Sequence, residues 1–262
     1  MTRLASYYRK LFRVAAEKKL WLRVLGEVDD KSIFFLRTKD TQSHNHPRIL
    51  IMGGFHGEEQ AGPLGILSWL EAFDPNLYTK VNLSFVPIVN PVGFNKCQRY
   101  NDEREKSNCG FCHPESGDQP SKEGIILLKN FPLLRSSAKH GFLSLHEDVT
   151  TTKSYLYSFE RTPELSDLTL QMRGVLTQHF PELLDDEYVV TDAKGKERGL
   201  AKDGVVWKLC DGSFEDYLFH EGSLRCFVTE TPAKNIPIQR RIIACRAIMD
   251  EFIKLSTIRE PD

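Results

Sequence analysis

The chain has 262 residues, 40% hydrophobic and 27% charged, so a sizeable core can form and a disordered chain is excluded. Lys+Arg number 35 against 36 Asp+Glu, and the formal charge of −1 removes the electrostatic case for nucleic-acid binding. No run reaches the length of a membrane span. Arg3, Arg9, Lys10 and Arg13 break up the N-terminus before any signal-peptide core can form, so a cytoplasmic protein is expected.

In chain order, Leu4, Tyr7, Tyr8, Leu11, Phe12 and Ala15 trace one face of an amphipathic helix over about residues 2–19. Residues 20–28 and 32–37 read as two strands joined at Asp29-Asp30-Lys31, followed by a polar loop to Pro47. The apolar run Ile49-Leu50-Ile51-Met52 is a buried strand. Leu64, Ile66, Leu67, Leu70 and Phe73 mark a helix that packs back on it, and residues 81–89 read as the next strand. Such a β-α-β unit implies parallel pairing with a right-handed crossover. Residues 90–118 form a long irregular segment, of the kind that in a compact domain is functional or disordered. A helical pattern over 123–138 is interrupted at Pro132. A strand at 141–146, an aromatic strand at 154–159 and a helix at 165–180 follow. Residues 189–204 read as a polar excursion, and its basic stretch 194–202 as a solvated loop. A short helix begins at Gly212 and a strand covers 224–229. Ile238, Ile242, Cys245, Met249 and Phe252 mark a closing helix. No domain boundary stands out, so one domain over residues 1–262 is expected. Six Cys over this length do not read as a disulfide framework. Cys210, Cys226 and Cys245, in apolar surroundings, are expected as reduced core thiols.

The informative stretch is Gly53-Gly54-Phe55-His56-Gly57-Glu58-Glu59-Gln60, a tight turn between the buried strand and its helix. Open α/β sheets keep their sites at the C-terminal ends of parallel strands. A His and a carboxylate three residues apart on such a turn can both reach one Zn²⁺, with a third ligand from elsewhere and a fourth position open for water. The pair alone is a common coincidence. His146, which ends a strand, is the natural third ligand. Glu230, at the end of Phe227-Val228-Thr229, is the best-placed carboxylate for a general base.

Four blocks in order resemble the zinc carboxypeptidases of the M14 type and the related succinylglutamate desuccinylase and aspartoacylase branch. They are Gly54-Phe55-His56-Gly57-Glu58-Glu59; Asn90-Pro91-Val92-Gly93-Phe94 with Arg99, Asn101, Asn108 and Phe111; Ser144-Leu145-His146-Glu147-Asp148; and Gly212-Ser213-Phe214-Glu215-Asp216-Tyr217 leading to Phe227-Val228-Thr229-Glu230-Thr231. The resemblance implies an α/β fold with a mixed, mostly parallel twisted sheet and helices on both faces. It implies one zinc per chain on His56, Glu59 and His146, with Glu230 as general base and proton shuttle. Arg99 matches the arginine that steadies the oxyanion, and Asn108 the asparagine that helps hold a substrate carboxylate. Two positions depart from the pattern. Cys109 stands where the family has Arg, and a thiol cannot form the bidentate pair a guanidinium makes. Lys208 stands where the digestive branch has Tyr, with Tyr155, Tyr157 and Tyr217 as candidate substitutes. Glu215 falls where that branch sets side-chain specificity. There it would favour a cationic group, the alternative being a solvated helix residue.

Cys109-Gly110-Phe111-Cys112-His113 admits haem attachment, a redox pair or half a zinc site. Without an export signal or a partner Cys-x-x-Cys, two redox-sensitive thiols in a pocket-lining loop are favoured, and a second, structural metal involving His113 is the lesser alternative. The expected protein is a zinc-dependent metallocarboxypeptidase that cleaves an amide next to a free carboxylate by a zinc-activated water. The rival is an N-acyl-amino-acid deacylase, favoured by a short spacing from Glu59 to His146. A non-catalytic binding protein that kept the fold is the third reading. The partner is a peptide or acyl-amino-acid substrate, not nucleic acid or membrane.

Overall fold

The computed structural model describes residues 1–38, 46–113, 117–159, 165–181, 183, 188–191, 197–207 and 210–257. Its centre is a run of four parallel strands, β4 (Asn82–Val86), β3 (Arg48–Gly53), β5 (Gly141–Asp148) and β10 (Cys226–Pro232), adjacent in that order. On one side β2 (Lys31–Arg37) and β1 (Trp21–Val28) add an antiparallel ribbon. On the other, β6 (Tyr155–Phe159) pairs antiparallel with β10, and β9 (Val205–Trp207), β8 (Glu197–Lys202) and β7 (Tyr188–Thr191) complete ten strands. The expected mixed, mostly parallel α/β sheet is what the chain builds.

The central strands are apolar along their length because both faces are covered. In β3, Ile49 and Ile51 join one buried cluster while Leu50 and Met52 join the other. The first cluster is closed by α1 (Arg3–Glu17), α2 (Ala61–Ala72), α6 (Asp167–His179) and α8 (Ile238–Thr257). The second is closed by α4 (Lys122–Lys129), α5 (Phe131–Ser137) and α7 (Phe214–His220). Helix α1 starts where the Thr2 hydroxyl accepts the Ala5 N–H at 3.2 Å. Its stripe of Leu4, Tyr7, Leu11, Val14 and Ala15 is buried, and the Tyr7 hydroxyl donates to Pro63 O at 2.7 Å. Pro132 separates α4 from α5, as expected. Among the described residues, no helix is long and apolar enough to cross a membrane.

Three expectations are corrected. Residues 197–202, expected within a solvated loop, form the strand β8 instead. Residues 192–196 lie outside the described residues, but β8 pairs with β9 around Asp203-Gly204, with φ of 51° and 73°. Asp-Gly with two positive φ values is the tight hairpin turn whose twist matches the flanking strands. Within the segment expected to be irregular, α3 (Pro91–Lys96) forms because the Asn90 side chain caps it, accepting the Gly93 N–H at 2.7 Å. Cys226 and Cys245 are buried, but Cys210 is only partly covered and lies beside His113 rather than in the core.

Strand β5 ties the two faces together. Glu147, with no exposed side-chain surface, accepts the Ala61 N–H at the start of α2 at 2.7 Å and pairs with Arg241 of α8. A buried carboxylate that loses its cation keeps its desolvation cost. Arg241→Ala is therefore expected to destabilise the protein by about 3 kcal/mol, seen in urea titration as a lower midpoint with an unchanged slope.

Candidate metal centre

The turn between β3 and α2 follows one narrow path. A Cβ on Gly57 would lie 1.9 Å from Gly93 C and 2.2 Å from Phe94 N, so the turn packs directly on the backbone of α3. Asn90 fastens the next loop to the same place, its amide donating to Arg99 O at 3.3 Å and to Ser107 Oγ at 3.2 Å. The Gly57 N–H in turn reaches Arg99 O at 3.3 Å. Thus the Asn-Pro-Val-Gly-Phe block acts through the Asn90 side chain and the backbone of Gly93 and Phe94, setting the turn and the Arg99 loop against each other.

Strand register supplies the rest. Gly53 pairs with Leu145, so His146 emerges just beyond the end of β3. His56 Nδ1 lies 2.5 Å from Glu59 Oε1, and His146 Nδ1 lies 2.9 Å from Glu59 Oε2. One donor atom from each of the three residues falls within 4.8 Å of the others. Glu59 and His146 are buried, and His56 is the most open of the three. Burial pushes the Glu59 carboxyl up, but His56 and His146 together hold it well below the usual carboxylate range. Burial likewise works against a charged His146, and Glu59 and Glu215 outweigh it, raising His146 well above its ordinary value. A buried carboxylate flanked by two imidazole nitrogens is the N₂O donor set that holds catalytic zinc, so these residues fit the ion the fold implies.

Glu230 enters by register as well. It is the partner of His146 on β5 and of Tyr155 on β6, so imidazole, carboxylate and phenol form one row across the sheet. Burial raises the Glu230 carboxyl well above its usual range. His146 and Arg99 pull it back, and Glu59 and Asp148 push it further up. Arg99 Nη1 reaches both Glu58 and Glu59 at 3.3 Å and remains partly exposed. The Tyr155 hydroxyl donates to Asp148 at 2.8 Å, and its pKa is raised by burial and by Glu230. Tyr217 lies elsewhere, stacked on Phe131 at 4.4 Å.

Glu215 is corrected. It has no exposed surface, so it is neither a solvated helix residue nor a carboxylate open to a ligand's side chain. Its Oε1 lies 3.6 Å from His146 Nε2, on the ring edge away from Glu59. Among the described residues neither atom has a hydrogen-bond partner. Burial raises the Glu215 carboxyl, and His146 more than offsets it. A carboxylate behind a ligating imidazole orients the ring and raises its basicity.

Asn108 spends its amide within the protein, donating to Glu215 Oε2 at 2.8 Å and accepting the Phe214 N–H at 3.0 Å. Cys109 is partly covered, and burial, with Asp118, pushes its thiol up to about 11. Burial and Asp216 push Cys112 higher still. The thiolate is the reactive form, so this environment argues against the redox-sensitive pair. Lys208 lies outside the described residues. The sequence reading missed the contact of Glu215 with His146, a contact whose only local signal was a carboxylate in the first turn after the Ser213 cap. Glu215→Gln is expected to weaken zinc binding about 10–100-fold, measured by competition with a chromophoric chelator.

Comparison with known proteins places this geometry. The model of the succinylglutamate desuccinylase/aspartoacylase catalytic domain matches residues 45–171, a span that contains His56, Glu59 and His146. A “putative metallopeptidase” from Shewanella denitrificans OS217 is 34% identical, with a TM-score of 0.86, over 97% of this chain and 91% of that one. A second, from Shewanella amazonensis SB2B, is 32% identical, with a TM-score of 0.87, over 97% and 94%. The metallo-carboxypeptidase from Burkholderia cenocepacia shares the fold at 17% identity, with a TM-score of 0.68, over 95% of this chain and 67% of that one. Among curated proteins, none matches the sequence. Identity above 30% along nearly the whole of two solved chains, together with the domain match over all three candidate ligands, makes this chain a member of the hydrolase family that joins M14-type zinc carboxypeptidases to the succinylglutamate desuccinylase/aspartoacylase branch.

Proposed function

We propose that this protein is a zinc-dependent metallocarboxypeptidase that hydrolyses an amide bond next to a free carboxylate. The observation that carries the reading is the placement of His56 Nδ1 and His146 Nδ1 against the two oxygens of Glu59, with Glu230 in register beside His146. His56, Glu59 and His146 would hold one Zn²⁺, which when bound lowers the pKa of its water toward 7 and polarises a carbonyl. Glu230 is the general base. Burial holds its carboxyl above the usual carboxylate range, the direction that favours taking up a proton. It accepts a proton from the attacking water and returns it to the leaving amine. Arg99, partly exposed beside Glu59, steadies the negative charge that grows on the carbonyl oxygen. Glu215 and Asn108 act behind this row, as positioning residues for His146 and for the first turn of α7.

Two features support a second reading, an N-acyl-amino-acid deacylase. One is the domain match to the desuccinylase and aspartoacylase branch. The other is the absence of a cation at Cys109, coupled with an Asn108 amide already used by Glu215 and Phe214. The similar Shewanella proteins, named as metallopeptidases, support the first.

Glu230→Gln is expected to lower kcat/KM by about 10²–10⁴-fold with zinc content unchanged. Retained turnover would remove Glu230 from the role. Parallel assays on peptides with free C-termini and on N-acyl amino acids decide between the two substrates. Turnover confined to the acyl amino acids would replace the carboxypeptidase reading with the deacylase.

A further inference from the structure

Away from His56, Glu59 and His146, a second set of metal-ligating side chains converges. His113, Cys210, Asp216 and His220 each offer one donor atom, and these atoms all lie within 4.8 Å of one another. Three pieces of chain supply them: the loop that carries His113, the stretch leading into α7, and α7 itself. Asp216 and His220, four residues apart, share a face of that helix, with Asp216 Oδ1 3.1 Å from His220 Nε2. His113 Nε2 lies 3.0 Å from Asp216 Oδ2 and 2.9 Å from Cys210 Sγ. One ring nitrogen cannot make a full hydrogen bond to both. A sulfur this close to an imidazole nitrogen is tighter than a neutral thiol contact favours.

Asp216 supplies an independent observation. Its carboxylate has no exposed surface. Oδ2 is well served, accepting the Gly212 N–H at 3.0 Å and the Cys112 thiol at 3.6 Å. Oδ1 is buried and accepts no hydrogen bond among the described residues, although the His220 ring faces it. A buried carboxylate oxygen whose facing imidazole nitrogen makes no aligned hydrogen bond is costly, and a cation among the four side chains removes that cost.

The backbone is set for this convergence. The Phe111 N–H donates to Gly212 O at 3.0 Å, clamping the two segments together. Gly212 has φ +80°, and a Cβ there would lie 2.9 Å from Cys112 O. His113 itself takes φ 59°, a left-handed conformation that costs energy for a residue with a Cβ.

We infer that His113, Cys210, Asp216 and His220 form a second zinc site, structural rather than catalytic. Two imidazoles, a thiolate and a carboxylate suit a borderline-soft dication, and four protein donors close its coordination shell. On binding, the imidazoles coordinate as neutral ligands and the Cys210 thiol gives its proton to solvent, so zinc uptake releases protons. Asp216 follows Glu215 in the chain. The ion would thereby fix the helical turn that sets Glu215 behind His146.

Cobalt(II) substitution tests the assignment. His56, Glu59 and His146 contain no sulfur, so a near-ultraviolet thiolate-to-cobalt charge-transfer band cannot come from that centre, and its loss in Cys210→Ser assigns it to the second site rather than to another free thiol. The full chain is expected to bind two equivalents of metal and to show that band. Cys210→Ser should abolish the band and lower the content to one equivalent. His220→Ala, at a half-exposed position, should lower the content in the same way, with folding checked by circular dichroism. One equivalent with the band present still supports the second site, and places the failure at the proposed catalytic centre. One equivalent with no band, or a band that survives Cys210→Ser, overturns the inference. So does mass-spectrometric detection of a disulfide between Cys112 and Cys210 in the protein as isolated.

Discussion

One buried carboxylate, Glu59, organises the surrounding structure. It offers an oxygen to each of two imidazoles that reach it from the ends of neighbouring parallel strands, and it also accepts the Glu147 N–H at 3.3 Å. An anion so deep in the protein is tolerable only with cationic or hydrogen-bonding partners on every side. The turn that carries it is shaped by close contact with α3, and the loop bearing Arg99 is tied to that contact by Asn90. The parallel heart of the sheet, the Asn90 cap and the path through Gly57 can be understood as the conditions for keeping this carboxylate in place.

Helix α7 belongs to the same arrangement although its side chains point to different tasks. Its first turn presents Glu215 toward His146 and Asp216 toward His113 and His220. Asn108 fastens that turn from outside, through Glu215 and through the Phe214 N–H. A seven-residue helix has little stability of its own. Its position depends on these polar ties and on Phe214 and Leu218, which are buried in the cluster beneath it.

Much of the fold was legible because the central strands announce themselves. Ile49 to Met52 is apolar at every position, as a strand covered on both faces must be, and the stripe from Leu4 to Ala15 has helical spacing. The three candidate ligands were legible for a related reason: they sit at strand ends and turns, where chain direction limits what they can reach. What stayed hidden depended on contacts between distant segments. Nothing near Glu215 indicates that it will face an imidazole from β5, and nothing near Cys210 indicates His113. Asn108 resembled a ligand-binding amide, and only the folded chain shows that α7 occupies it. The hairpin after β8 is different. Asp203-Gly204 carried a readable turn signal, masked by the polar, Lys-rich residues before it.

The alternation of β5 has one further consequence. His146 points to the centre and Glu147, the next residue, to the opposite helical layer, so both layers grip the same two peptide units. On the proposed reading, side chains on the far layer will therefore count among those on which turnover depends. A mutational map scored by activity alone would spread through the back of the molecule, and separating impaired chemistry from impaired anchoring would require metal occupancy to be measured alongside it.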